Sequence, residues 1–307
     1  MKGLALSRLY FDEVGRPALT QRLPELFSSA AAGLVGEGSE CLGYDDELSR
    51  DHDWGPGFCI WLTDDDFDTF GAEVQAVYDS LPRSFLGFER LRVSDLSAGR
   101  VGAMRITDFY ERFLGLRVPP KTVGQWLSLN EQALCICTGG EVFEDGAGVF
   151  SAFRKELSDY YPEDIRRKHL AARCAIASRS GQYQLQRCLS RGDYVAASCA
   201  QAEFMDNVQA ALFLLERRYR PYYKWAHRAM KELPRAKETT PLFERLVHTP
   251  LQHVSETNEE LCRFLIVMLQ EQELSSESDS FLLYHAESVQ RSIHSDGIRS
   301  LPLFSFP

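Results

Sequence analysis

Apolar positions near the start of the chain recur at helical spacing. Leu9, Tyr10 and Val14 share a face, predicting an amphipathic helix over 5–30 that Pro17 ends or kinks, with a second short helix from Leu19 to Ala31. "AAGLVGEGS" (31–39) then reads as a short buried strand closed by a glycine turn. In "HDWGPGFCIWLTD" (52–64), Phe58, Ile60 and Leu62 alternate with Cys59 and Trp61, the period of a strand pair or a bent strand. "TDDDFDTFGAEVQAVYDSLP" (63–82) is a helix with Thr63 or Asp64 as N-cap and Pro82 beyond its end. "FERLRVSDLSAGRVGAMRITDFYERFLG" (88–115) predicts two strands around Gly99 and a helix from Asp108. "GEVFEDGAG" (140–148) is a strand and turn before a helix over Phe150–Ser158.

From Pro162 onward the pattern is helical almost throughout. Val195, Cys199, Val208, Ala211, Leu212 and Leu215 mark a long apolar stripe. In "RRYRPYYKW" (217–225), Pro221 should break that helix and leave Tyr222, Tyr223 and Lys224 at a junction. The last thirty residues are Ser-rich and polar, ending in "LPLFSFP", and read as an arm or docking tail. A mixed strand–helix half over 1–158 followed by an all-α half over 159–307 is the expected organisation.

The 307 residues, 44% hydrophobic and 25% charged, fit a globular protein of two domains. No apolar run reaches the roughly 18 residues of a membrane span. The start, "MKGLALSRLYFDE", meets acids too soon for a signal peptide. Cys41, Cys59, Cys135, Cys137, Cys174, Cys188, Cys199 and Cys262 sit in apolar segments without a disulfide framework. They are expected to be small buried hydrophobes of a reducing cytoplasm. Cys135 and Cys137 have no second Cys/His pair at zinc spacing. A net charge of −10 argues against general nucleic-acid binding. The acids concentrate before residue 70, while "RRKHLAAR" and "ERRYRPYYKWAHR" lie downstream, a polarity that suits metal in one half and phosphate in the other.

Several familiar motifs fail on spacing. "GLVGEG" is G-x-x-G-x-G, not the dinucleotide fingerprint, and lacks the Lys-Ser/Thr of a phosphate loop. Asp64, Asp66 and Asp68 imitate the start of a calcium loop, but Thr69 stands where Gly is needed and Gln75 where Glu is needed. They read instead as a charged first helical turn facing water and the helix dipole. His169, His227, His248, His253, His285 and His294 share no ligand spacing.

One stretch stands apart. "GSECLGYDDELSRDHDWG" (38–55) packs six acids into eighteen positions, with Asp51 and Asp53 flanking one residue. Like charges so close are tolerated only where water or a cation neutralises them, so the stretch is a solvated loop or a metal site. If "DHDWG" enters a strand, Asp51 and Asp53 share a face with Cα atoms about 7 Å apart. Mg²⁺ takes one or two carboxylates and completes its shell with water and substrate phosphate. Gly38 and Ser39 permit close backbone approach, and a helix starting there would offer amides to a triphosphate. Asp45, Asp46 and Glu47 read as a polar loop lip, with Asp46 able to cap a turn, and Trp54 as a packing residue. Arg218 and Lys224 could neutralise phosphate; Arg166 and Lys168 are weaker choices that fit a solvated helix face better.

Gly38-Ser39 followed after eleven residues by Asp51-x-Asp53 resembles the G-S…D-x-D signature of the polymerase-β-like nucleotidyltransferase superfamily. The longer string "GLVGEGSECLGYDDELSRDHDWGPGF", with "YPEDIRRKHLAAR", "GQYQLQRCLSRGDYVAA" and "LERRYRPYYKWAHRAMKELP", is similar to an uncharacterised bacterial family of unknown function among those enzymes. The resemblance spans roughly 30–235. It implies an α+β fold: a nucleotidyltransferase-type mixed sheet with flanking helices over 1–158, then a helical domain like that of kanamycin nucleotidyltransferase over 159–307. It also implies an NTP substrate, expected to be ATP, with one or two Mg²⁺ ions on Asp51 and Asp53. Gly38 and Ser39 would seat the triphosphate, and Arg218, Tyr223 and Lys224 would assist. The superfamily's third carboxylate has no counterpart inside "VGAMRIT". Asp95 before it is favoured, with Asp108 and Glu141 as alternatives, and the departure leaves open a weakened catalyst. The expected activity is nucleotidyl transfer to a hydroxyl of a small molecule; transfer to a protein or tRNA, or a silent nucleotide-binding module, are the rivals.

Overall fold

The computed structural model describes residues 1–51, 53–91 and 99–305, so His52 and Asp95 lie outside the described residues. The fold is α+β. The chain divides into two compact units, Met1–Lys121 with Leu129–Asp159, and Thr122–Ser128 with Tyr160–Pro307.

The first unit is built on a mixed four-stranded sheet. Its strands are β1 (Ala31–Leu34), β2 (Cys59–Leu62), β5 (Gly102–Arg105) and β6 (Glu141–Asp145), in the order β5-β2-β1-β6. A two-residue hairpin supplies β3 (Ser84–Phe85) and β4 (Phe88–Glu89). β1 is antiparallel to both neighbours, while β2 and β5 run parallel. The alternation read in β2 is realised. Phe58, Ile60 and Leu62 join a core with Tyr10, Phe11, Leu19, Val74, Val77 and Tyr78. Trp61 faces the other way, stacked on Phe150 at 3.9 Å and edge-on to Phe109. Both faces are covered, so every residue of β2 is buried. Gly33 lies at the β1–β6 register shift, where a Cβ would come 2.4 Å from the Glu141 carbonyl.

The helices of this unit are α1 (Gly3–Tyr10), α2 (Arg16–Arg22), α3 (Pro24–Phe27), α4 (Asp64–Asp79) and α5 (Ile106–Leu114). α1 and α2 are one helical run joined by a π turn over Phe11–Gly15. Pro17 therefore does not end the first helix: it stands in the first turn of α2, where its missing N–H is no loss. Thr63 caps α4, accepting from Asp66 N at 3.2 Å. After α6 (Val123–Ser128), which belongs to the second unit, α7 (Glu131–Thr138) and α8 (Val149–Ser158) complete the first.

The second unit continues with α9 (Glu163–Ala177), α10 (Leu185–Ser190), α11 (Tyr194–Leu215) and α12 (Tyr223–Met230). α13 (Ala236–His248), α14 (Ser255–Glu271), α15 (Leu282–Arg291) and α16 (Asp296–Arg299) follow. α9 packs on α11 and α15 as its centre. Three expectations are corrected here. Val195 is 77% exposed and Cys199 is exposed, because the apolar side of α11 turns away from its first turn. Residues 282–291 and 296–299 are helical rather than a loose arm, since Leu282, Ala286, Val289 and Ile298 are buried. Arg166 and Lys168 are not on a solvated face. Arg166 is buried against Glu163 and the Leu214 carbonyl, and Lys168, fully buried, donates to the carbonyls of Pro302, Leu303 and Ser305. The closing segment does dock, through that ammonium.

Candidate functional site

The glycine turn after β1 uses backbone that only glycine adopts readily: Gly36 and Gly38 have φ of 139° and 127°. Gly38 also lies under a buried ion pair. A Cβ there would stand 2.1 Å from Arg100 Nη2 and 2.6 Å from Glu40 Oε2. Burial pushes the Glu40 carboxyl up, and the Arg100 charge opposes that. No helix begins at Ser39. Its carbonyl instead accepts from Leu42 N at 3.2 Å and Tyr44 N at 2.8 Å, closing a turn. The expected row of helix-terminal amides is thus replaced by turn backbone and by the Arg100–Glu40 pair.

Asp51 and Asp53 do not enter a strand, and the alternation argued for them does not hold. Asp51 follows a 3₁₀ turn over Leu48–Arg50, and Asp53 has φ of 48°, a left-handed conformation. β2 begins only at Cys59 because Gly55-Pro56-Gly57 intervenes. Gly55 has φ of 149° and presses on the backbone of Glu89, and Pro56 accepts from Leu91 N at 3.1 Å. The D-x-D loop thereby leans on the hairpin. Trp54 packs edge-on to Phe88 at 5.3 Å, and Arg50 lies over both rings at 4.9 and 5.6 Å.

A glycine in α1 joins the turn to the loop. The Cβ that Gly3 lacks would meet Trp54 Nε1 at 2.8 Å and Glu40 Cβ at 2.9 Å. The residue after Ser39 and the residue after Asp53 are therefore near neighbours. Asp45 completes the join. It is 3% exposed rather than part of a polar lip, and its Oδ2 accepts from Gly3 N at 2.7 Å and Trp54 Nε1 at 3.1 Å. Asp46 caps the following turn through Ser49 N at 3.1 Å, as expected. Glu40 and Asp45 were missed as buried acids; the nearby Trp54 and the paired glycines were the only local signals.

Of the other acids, Asp108 pairs at 2.9 Å with Arg117, which it shares with Asp64 and Glu111, and Glu141 pairs at 3.0 Å with Arg8, which it shares with Asp12. Asp95 lies outside the described residues. Among the described residues, no group of three or more His, Cys, Asp or Glu side chains is arranged to hold a metal ion. The pair Asp51 and Asp53 still has the right chemistry for Mg²⁺, two oxygen donors with the remainder left to water and phosphate. In the second unit, Pro221 does not break α11, which already ends at Leu215 before the left-handed Arg217; it precedes Tyr222, the N-cap of α12. Arg218 lies 3.7 Å from Glu232, Tyr223 is 70% exposed, and the Lys224 ammonium lies 5.2 Å from the Trp225 ring.

Residues 126–226 match a domain of unknown function, DUF4037, about a third of the chain. No curated protein and no solved structure matches it. No described helix is long and apolar enough to cross a membrane.

Proposed function

We propose that the protein is a Mg²⁺-dependent nucleotidyltransferase that moves a nucleoside monophosphate from an NTP, expected to be ATP, to a hydroxyl of a small molecule. The observation that carries this reading is the convergence at Gly3 of the turn bearing Gly38-Ser39 and the loop bearing Asp51 and Asp53. Glu40, next to Ser39, and the indole of Trp54, next to Asp53, both meet Gly3, although neither half of the signature has the expected secondary structure.

Asp51 and Asp53 would hold the metal, which would supply charge neutralisation at the reacting phosphate. Gly38 and Ser39 would lie along the triphosphate, with Arg100 the nearest fixed cation. By the resemblance, Asp95 would be the third carboxylate. The acceptor oxygen forms a bond to the α-phosphorus as the α–β phosphoanhydride breaks. Pyrophosphate leaves with the bonding electrons, and the hydroxyl proton passes to a base or to water.

A silent nucleotide-binding module is the second reading, favoured because no third acid is grouped with Asp51 and Asp53 among the described residues. Pyrophosphate release and calorimetry with ATP and Mg²⁺ separate the two. Release that Asp53→Asn abolishes supports transfer. Asn tolerates the left-handed backbone and keeps a hydrogen-bonding side chain of the same size, so that variant should stay folded, as circular dichroism would show. Binding without release makes the protein a silent module, and full activity in Asp53→Asn overturns the assignment.

A further inference from the structure

The chain turns sharply where it carries the D-x-D acids. Arg50 ends the 3₁₀ turn, Asp51 stays right-handed with φ of −71° and ψ of −29°, and Asp53 is left-handed with φ of 48°. A residue other than glycine keeps that last conformation only where its surroundings over-determine it.

Three side chains supply the constraint. The guanidinium of Arg50 and the indole of Trp54 flank the two acids in sequence and meet at 4.9 Å. Both rest on the Phe88 ring, at 5.6 Å and 5.3 Å, so the arc from 50 to 54 is closed at its two feet. Arg50 makes no ion pair among the described residues; the rings fix its place. Phe88 is anchored in turn. It pairs with Phe85 across the hairpin, and the Phe85 ring packs at 5.4 Å on the fully buried Tyr10. Trp54 has a second hold, its N–H on the buried Asp45. A cation as small as Mg²⁺ demands oxygens in near-octahedral places, so two carboxylates serve it only if the backbone keeps them convergent. With the arc open, Asp53 would relax out of its left-handed conformation and part from Asp51.

We propose that the Arg50–Trp54–Phe88 cluster is a clamp that keeps the D-x-D loop in its metal-binding shape, with Trp54 and Phe88 as positioning residues for the cation. The clamp rests on the metal reading of Asp51 and Asp53 given above. Its two rings are uncharged, so removing either changes the geometry of the loop and leaves the charge around the acids as it was.

Titration of the full chain with MnCl₂, followed by electron paramagnetic resonance of the free ion, tests it. Asp53→Asn should lose the binding. Trp54→Leu and Phe88→Leu should each weaken it about fivefold, while Phe88→Tyr, which keeps the ring, should bind like wild type. Glu163→Gln, which destabilises the second unit, should also bind like wild type and so separates the clamp from a general loss of stability. The clamp is overturned if wild type binds Mn²⁺ and both leucine variants bind it equally well, or if Glu163→Gln weakens binding as much as they do. A wild type that binds no Mn²⁺, or an Asp53→Asn variant that binds it undiminished, removes the metal loop itself, and the transfer reading falls with the clamp.

Discussion

The indole N–H of Trp54 donates to Asp45 Oδ2 at 3.1 Å, and the same oxygen accepts the Gly3 amide at 2.7 Å. One buried carboxylate therefore caps the first helix and anchors the loop that carries Asp51 and Asp53. Lys2 lies 3.8 Å from its other oxygen and supplies the compensating charge.

Asp45→Ala would leave both donors buried and unpaired. A loss of roughly 2–4 kcal/mol is expected by chemical denaturation, and Trp54→Phe, which removes one donor, should lose about 1 kcal/mol. Equal effects of the two substitutions would refute the shared anchor.

Gly38→Ala should destabilise the first unit by about 1–3 kcal/mol, because φ of 127° strains any other residue and a Cβ would displace the buried Arg100–Glu40 pair. Gly43→Ala is the control: its φ is also positive, 72°, but no atom lies near its Cβ position. Denaturation midpoints should fall further for Gly38. Matching midpoints would mean that Arg100 does not hold the turn.

In the second unit, burial alone would raise the Glu163 carboxyl, but hydrogen bonds and charge from Arg166, with Arg217 and Arg167, outweigh it and hold the group at about 2. Its folded value lies below the ordinary 4.5, so its contribution is complete above that pH and is lost as pH falls toward 2. With a third of the side chain exposed, solvent screening keeps that contribution to about 1 kcal/mol. Denaturation at pH 7 and pH 3 should show wild type losing more stability than Glu163→Gln.

Burial, aided by the charges of Arg173 and Lys168, pushes His169 down to about 4. Between 6.5 and 4 the unfolded chain binds a proton that the folded chain refuses, so stability falls with pH across that window. The expected loss is about 2–3 kcal/mol. A His169→Gln series that declines as steeply as wild type over those pH values would contradict it.

Lys168 has no carboxylate partner in these contacts. Burial pushes its ammonium down to about 8, and three carbonyls of the closing segment receive its protons. This explains why "LPLFSFP" docks although its sequence shows only an apolar, proline-bounded end.

What the amino-acid order determined by itself is whatever depends on near neighbours. The period of two through Phe58–Leu62, the Thr63 cap and the Gly36 and Gly38 turn all follow from steric and hydrogen-bonding rules acting over a few residues. Tertiary structure decided the rest. Asp45, Glu40 and Lys168 look like solvated polar positions because Gly3, Arg100 and Pro302, to which they bond, lie 42, 60 and 134 residues away. The D-x-D loop is kept out of a strand by Gly55 pressing on Glu89, again a contact between distant segments. Burial of a charged or polar group becomes favourable only once the fold delivers its partner, and no local pattern carries that information.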